Sequence, residues 1–378
     1  MYSRPWSVAT FFLLVSLPWP SSAQQPVPWH DPSPHSVQFI AVDDNVKLEV
    51  LDWGGSGRPF VLLAGLGDTA HVFDEFAPKL TSEYHVFGIT RRGFGASSVP
   101  ATGYSADRLG DDVLAVLDAL KLDRPVLAGH SIAGEELSSI GSRHPERVAG
   151  LIYIDAAYAH AFYDRSVGNL NIDLAELQKR LDRVMPEESP SDHKQLIREL
   201  LEESLPQFEK DLRNLQTALQ ADPAEVTAPP QPSADDLASF KAYRAYVNRI
   251  RGINFPEAQL RAGHESRPDG GVGKRLDMTK VGLAIEAGEQ KYTEIRVPAL
   301  AIFANPRKRD PYPVNTAKEN LEAAALQTAG IEEQAKAFEN GVPSARVVRI
   351  PQSDHYVFLS NEADVLREIR AFLADLHW

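Results

Sequence analysis

The sequence predicts an α/β fold in which a mostly parallel sheet, flanked by helices, is interrupted late in the chain by an inserted helical cap. Three observations predict it. Short continuous apolar runs, Phe60 to Leu63, Val86 to Ile89, Val126 to Ala128 and Leu151 to Ile154, lack the polar alternation of a half-exposed strand and suit strands buried on both faces. Ala106 to Leu120 lies between two of these runs and carries Leu109, Val113, Val116, Leu117 and Leu120 at helical spacing, giving a repeating βα pattern. After Ala157 the alternation yields to charged amphipathic stretches and resumes at Pro298, so the sheet is expected to continue across an insertion.

Taken in order, residues 1–23 read as an export signal. Arg4 supplies a positive start, Val8 to Leu17 an apolar run, and Ser21-Ser22-Ala23 the small residues of a cleavage site, placing the mature start near Gln24. Pro18 and Pro20 cut the run well short of the roughly 20 apolar residues that span a bilayer. The expectation is an exported protein, periplasmic or secreted, without stable membrane association after cleavage. Residues 24–34 are polar and proline-rich, a flexible lead-in. Val37 to Val42 and Val46 to Trp53, joined by Asp43-Asp44-Asn45, form an opening hairpin. The core is expected over 35–157 and 296–378, with late strands at Ala299 to Phe303 and Arg346 to Ile350. The cap, 158–295, holds helices over Asp173 to Val184, His193 to Leu219 and Asp235 to Arg251, divided by a proline-rich break at Ala228 to Pro232. Leu174, Leu177 and Leu181 are the face expected to lie over the core, and Asp269 to Gly273 reads as a mobile loop.

Composition excludes several function classes. None of the 378 residues is cysteine, which removes disulfides, thiolate metal sites and a thiol nucleophile. The formal charge is −13, and losing Arg4, the one charged residue of the signal, makes it −14, so nucleic acids and anionic membranes are unsuited as partners. No dinucleotide or phosphate-loop fingerprint occurs, and no cofactor is expected. Neither H-E-x-x-H nor a tight sequence cluster of histidine with carboxylates occurs either. His30, His35, His71, His85, His144, His160, His193, His264 and His377 are scattered, so packing or surface roles are expected for them and no metal site. The expected partner is a small-molecule substrate.

The chemistry-bearing stretch is Pro125 to Gly134, an apolar strand that runs through Gly129-His130-Ser131 into a helix starting near Ile132. A serine hydroxyl is a weak nucleophile and must project at a sharp strand-to-helix turn where a base can reach it, which small neighbours permit. Here the sequence resembles the α/β-hydrolase superfamily, whose nucleophile elbow reads G-x-S-x-G, with Ala133 in place of the second glycine and Gly134 one position later. The resemblance implies Ser131 as nucleophile and the chain order Ser, acid, His. Asp310, in the loop after Ala299 to Phe303, resembles the family's acid, and Asp155, ending the strand after the elbow helix, is the alternative. His355, after Arg346 to Ile350, resembles its histidine, and His130 is read as structural.

By the same resemblance the oxyanion donors are the amides of Leu66, in Leu63 to Asp68, and Ile132; the family's usual histidine is replaced by Ala64. Thr90 to Ser97 resembles its D-x-R-G-x-G-x-S stretch, with Thr90 for Asp, and is read as architectural. Arg307, Lys308 and Arg309 are expected to form a solvated loop, with lowering of the Asp310 pKa or attraction of anionic substrates as the functional alternatives. The implied activity is cofactor-free carboxylic ester cleavage through an acyl-enzyme. Amide, lactone or carbon–carbon hydrolysis and perhydrolysis use the same triad, and a binding protein with a vestigial triad is the competing reading.

Overall fold

The computed structural model describes residues 29–184, 190–220, 230–308 and 317–376. The expected export signal lies outside the described residues. The chain divides into Met1–His30 and a body, Asp31–Trp378, and the body carries every strand and helix named below.

The expected runs all become strands, and two short strands appear in the insertion where none was expected: the strands are β1 (Ser36–Asp43), β2 (Val46–Gly54), β3 (Arg58–Leu63), β4 (Tyr84–Ile89), β5 (Val126–His130), β6 (Gly150–Ile154), β7 (His264–Ser266), β8 (Val272–Arg275), β9 (Ala299–Ala304) and β10 (Ala345–Ile350), of which β7 and β8 are the unexpected pair. Eight of them form one sheet in the order β1-β2-β4-β3-β5-β6-β9-β10. The opening hairpin is antiparallel and β2 pairs antiparallel with β4, while β4-β3-β5-β6-β9-β10 are all parallel. The helices are α1 (Ala106–Leu120), α2 (Gly134–Arg143), α3 (Leu170–Val184), α4 (Pro190–Glu199), α5 (Leu205–Gln220), α6 (Phe240–Arg251), α7 (Glu257–Ala262), α8 (Thr279–Glu286), α9 (Ala317–Gly341), α10 (Val357–Ser360) and α11 (Glu362–Asp375). Helix α1 begins where the Ser105 side chain accepts from the Arg108 amide and ends at left-handed Lys121.

Continuous apolar strands work because each turns alternate residues to opposite faces. Phe60, Leu62, Ala128, Ile152, Leu300 and Ile302 join Phe73, Phe76 and the α11 residues Val365, Ile369 and Phe372 on one side. Val61, Leu63, Leu127, Leu151, Tyr153 and Phe303 meet α1, α2 and α9 on the other. Each such side chain contributes about 1.5–3 kcal/mol on burial, so both faces are anchored and the β5 and β6 tips are held firmly.

The insertion between β6 and β9 is mostly helical, with a small antiparallel hairpin, β7 with β8. The expected mobile loop at Asp269 to Gly273 is the turn of that hairpin: Gly270 adopts φ 85° and the Arg267 and Gly271 backbones bond across it. The expected leucine face is corrected too. Leu177 is buried with Leu196, Leu200 and partly buried Phe208 in a cluster of the cap's own, whereas Leu174 and Leu181 are 49% and 44% exposed. Helices α3 to α5 therefore bury their stripe against each other. It is the later α6 that puts Phe240 and Val247 into the main core. Of the expected lead-in, Ser33 is held: its amide donates to Asp31 Oδ1 (2.9 Å) and its hydroxyl accepts from Trp53 Nε1 (3.1 Å).

Candidate active site

The turn at the end of β5 places Ser131. It sits at φ 56°, a left-handed conformation that costs a non-glycine residue about 1–2 kcal/mol, and then leads through a 3-10 turn, Ser131–Ala133, into α2. The surroundings explain which small residues are needed. A Cβ on Gly134 would lie 2.1 Å from the Ala156 carbonyl oxygen, so no side chain fits there. A Cβ on Gly129 would lie 3.0 Å from the Ala133 Cβ, so Ala133 fills the space that Gly129 leaves.

His355, on the loop after β10, lies with Nε2 2.9 Å from Ser131 Oγ and Nδ1 2.6 Å from Asp155 Oδ2. The acid facing the histidine is thus Asp155, which corrects the first expectation of Asp310; Asp310 lies outside the described residues. The reason is the strand order. β6 is the immediate neighbour of β5, so a residue just past its end lies beside the elbow. Asp155, itself at φ 46°, is fully buried, and its Oδ1 accepts from the Ala304 amide (2.9 Å) and Tyr158 Oη (2.5 Å). Burial pushes its pKa up, but the bond and charge of His355, together with Arg307 and Tyr158, hold it below the ordinary Asp range.

Of the three cations considered for a role beside Asp310, Arg309 lies outside the described residues and Arg307 pairs with Asp155. Its Nη2 donates to Asp155 Oδ2 (2.8 Å) and Tyr158 Oη (3.1 Å), and stands 3.3 Å from His355 Nδ1. With the Nδ1 proton directed at Asp155, that last contact is electrostatic, and both groups share one carboxylate.

Three supports surround the triad; the sequence marked His130 and the stretch of Arg91 as structural without giving their partners, and His160 as a packing or surface residue. His130 Nε2 donates to the His355 carbonyl (3.0 Å) and its ring packs on His355, Tyr356 and Phe358, so the structural role read for it consists of holding the histidine loop. Burial pushes its pKa down to about 3 and keeps it neutral. His160, held down to about 4 by burial, donates to the Ser131 carbonyl (3.2 Å). Arg91 clamps buried Glu136 of α2 (2.6 and 2.8 Å) and donates to the carbonyls of Ala64 (2.9 Å) and Gly65 (3.3 Å), tying the Leu66 loop to the elbow helix. Only contact partners could have revealed what each of them holds, because these partners lie far from it in the chain.

The expected oxyanion residues meet at the same place. A Cβ on Gly65 would lie 3.3 Å from Ser131 Cβ, so the loop backbone passes beside the nucleophile, and the Leu66 amide has no hydrogen-bond partner among the described residues. Ile132 is the second residue of the 3-10 turn, where first-turn amides lack partners within the turn. Over both side chains lies the cap: Val281 and Ile285 of α8 cluster with Ile132 and Phe94, with Leu66 and Met278 packed against them. Cap residue Gln259 braces the loop, donating to Asp68 Oδ1 (2.9 Å) and accepting from the Thr69 amide (3.0 Å). Burial raises the Asp68 carboxyl to about 6.

Residues 58–267, more than half of the chain, match the alpha/beta hydrolase fold family. The chain belongs to that family. Among curated relatives, the AB hydrolase superfamily protein YisY of Bacillus subtilis is 32% identical over 128 residues, 34% of this chain and 47% of that protein. The non-heme chloroperoxidase of Streptomyces lividans is 33% identical over 120 residues, 31% of this chain and 44% of that one. The chain spans less than half the length of these curated relatives. Of solved structures, E-2-(acetamidomethylene)succinate hydrolase superposes with a TM-score of 0.54 at 18% identity, over 90% of this chain and 99% of that one, which is a likeness of fold.

Two departures of this α/β-hydrolase from the family motifs have structural answers. Thr90, in place of Asp, donates to buried Glu49 Oε2 (2.8 Å) and accepts from the Ala70 amide (3.0 Å), so Glu49 supplies the missing carboxylate. Ala64, in place of His, contributes its carbonyl to Arg91, which takes over support of the loop.

Proposed function

We propose that this α/β-hydrolase is an exported serine hydrolase that cleaves a carboxylic ester through an acyl-enzyme on Ser131. The observation that carries the reading is the continuous chain Ser131 Oγ, His355 Nε2, His355 Nδ1, Asp155 Oδ2, at 2.9 and 2.6 Å, on a serine held at φ 56°.

In this reading His355 takes the Ser131 proton as Oγ adds to the ester carbonyl carbon, and the carbonyl π electrons move to oxygen. The amides of Leu66 and Ile132 stabilise that oxyanion, and Asp155 stabilises the imidazolium. Collapse expels the alcohol, which carries away the proton from His355 and leaves acyl-Ser131. A water attacks by the same sequence to release the acid and regenerate the serine. No step requires a metal or cofactor. The cluster of Ile132, Leu66, Val281 and Ile285 supports a substrate with an apolar group beside the carbonyl. The run Val8 to Leu17 ahead of Ser21-Ser22-Ala23 supports export.

The test is fluorophosphonate labelling of the mature chain, with mass mapping and turnover of short p-nitrophenyl esters, alongside Ser131→Ala and His355→Ala. Labelling at Ser131 that both variants lose, with loss of turnover, is the expected result. Folded protein that neither labels nor turns over would reject the enzyme reading in favour of a binding protein with a vestigial triad. Export is checked by the intact mass of the chain recovered after expression with its leader, with an N-terminus near Gln24 expected.

A further inference from the structure

Away from the triad, Asp31 and His35, just ahead of β1, meet His71 and Asp74, on and after the 3-10 turn Ala70–Phe73 that follows the Leu66 loop. One ligand-capable atom of each lies within 4.8 Å of all the others. His71 Nδ1 is 3.2 Å from Asp31 Oδ2 and 3.0 Å from Asp74 Oδ2, while His35 Nδ1 is 3.1 Å from Asp74 Oδ1 and His35 Nε2 is 3.8 Å from Asp31 Oδ2. A tetrahedral ion with bonds of about 2.0–2.1 Å separates its ligand atoms by about 3.3–3.4 Å. The separations of His71 Nδ1 from Asp31 Oδ2 and Asp74 Oδ2, 3.2 and 3.0 Å, lie near that edge, and with one atom from each residue all four fit within 4.8 Å of one another.

The second observation is burial without partners. The side chains of His35 and Asp74 are 3% and 4% exposed. Asp31 Oδ2, His35 Nδ1 and Asp74 Oδ1 are buried and make no hydrogen bond among the described residues, despite standing so close to one another. Buried polar atoms are almost always satisfied, so atoms held at ion-pair distance without a hydrogen bond, His35 Nδ1 and Asp74 Oδ1 at 3.1 Å among them, keep lone pairs to offer an ion. Their outer contacts are already built. Asp31 Oδ1 is occupied by the Ser33 amide (2.9 Å), which leaves Oδ2 for the centre. His71 directs Nε2 toward Glu49 Oε1 (3.7 Å), and Glu49 is itself fixed by Thr90 Oγ1 (2.8 Å). A carboxylate behind a histidine ligand fixes its tautomer and raises its basicity toward a metal.

We propose that Asp31, His35, His71 and Asp74 bind one divalent transition-metal ion, Zn²⁺ by the chemistry of its donors. This departs from the expectation of no metal site and of scattered, unrelated roles for His35 and His71. Two imidazole nitrogens and two carboxylate oxygens suit Zn²⁺, whereas Ca²⁺ and Mg²⁺ take all-oxygen shells. Four protein ligands leave no open position, so the ion is structural: it clamps the segment before β1 to the turn behind the Leu66 loop. Without an ion, the four side chains are bare histidine–carboxylate pairs.

The test uses the tag-free mature chain, stripped with chelator and titrated with ZnCl₂ by calorimetry. One Zn²⁺ per chain is expected, with a Tm rise of about 3–6 °C at a hundredfold excess over Kd. Mg²⁺ and Ca²⁺ at millimolar concentration should leave Tm unmoved. Asp31→Asn and His35→Gln should each weaken Zn²⁺ binding by about tenfold or more. X-ray absorption on the wild-type zinc form should give four nitrogen or oxygen neighbours at about 2.0–2.1 Å, two of them imidazole, and decides the matter if a variant does not fold. Failure of the stripped chain to take up stoichiometric Zn²⁺, unaltered affinity in both folded variants, or a shell without two imidazoles would each overturn the proposal. None of these outcomes depends on whether Ser131 is a nucleophile.

Discussion

Two clusters of histidine and carboxylate among the described residues are built on opposite plans. Around Ser131 the polar atoms form a line. Ser131 faces one nitrogen of His355, Asp155 the other, and the remaining Asp155 oxygen is taken by Ala304 and Tyr158. Around Asp31, His35, His71 and Asp74 they gather within 4.8 Å of one another, and beside the His71–Asp74 bond three buried atoms make no hydrogen bond among the described residues. A line lets His355 take the Ser131 proton while Asp155 stabilises the resulting imidazolium, whereas a gathered set has a centre to fill. The difference teaches that residue types do not decide what a cluster does; the direction in which each lone pair and N–H points does.

The largest expected effect tests the line itself. Asp155→Asn should lower kcat for ester turnover by about 10⁴-fold, because an amide no longer selects the His355 tautomer, while Asp310→Asn should stay within about threefold of wild type. Steady-state kinetics on one p-nitrophenyl ester checks both, and the reverse pattern would restore Asp310 as the acid.

Next in size is the turn that aims the line. Gly134→Ala drives a Cβ to 2.1 Å from the Ala156 oxygen and should cost about 3 kcal/mol or more, read as a lower denaturant midpoint and reduced turnover. Ala133→Gly introduces no contact and should cost about 1 kcal/mol or less.

Arg307→Gln asks whether the line tolerates the cation beside it. Loss of the cation lets the Asp155 carboxyl rise toward its ordinary range. A depressed carboxyl stabilises the fold above its unfolded value near 3.9 and loses that contribution as pH falls through the folded value. The variant should therefore lie about 1–2 kcal/mol below wild type at pH 6, and the gap should close toward pH 2. Urea midpoints across that range measure it, and a pH-independent gap would mean that Arg307 acts through packing alone.

Asp68, three residues before His71, gives an effect of the opposite sign. Its carboxyl is raised to about 6, so ionisation in the unfolded chain costs wild-type stability as pH rises from about 4 to 6. Asp68→Asn keeps an acceptor for Gln259 and should be more stable than wild type at pH 7, by no more than about 2–3 kcal/mol, with the advantage vanishing below pH 4. Equal stability at pH 7 would show that this carboxyl ionises without penalty.

The apolar runs and the helical spacing of Ala106 to Leu120 determined the sheet and its flanking helices, because periodic burial is a local property of the chain. The elbow around Ser131 and the loop of His355 were equally legible, since strand, small residues and helix must follow one another in sequence for that turn to form. Strand order decided the rest. It set β6 beside β5 and so brought Asp155 to His355, where resemblance to the family's acid loop had favoured Asp310. It brought Arg91 under the Leu66 loop and the apolar face of α8 over Ile132. It gathered His35 and His71, scattered in the chain, into one buried cluster with Asp31 and Asp74. Spacing along a chain encodes which face a residue shows its near neighbours; which distant side chain it meets is fixed only when the sheet closes and the loops pack across its strand ends.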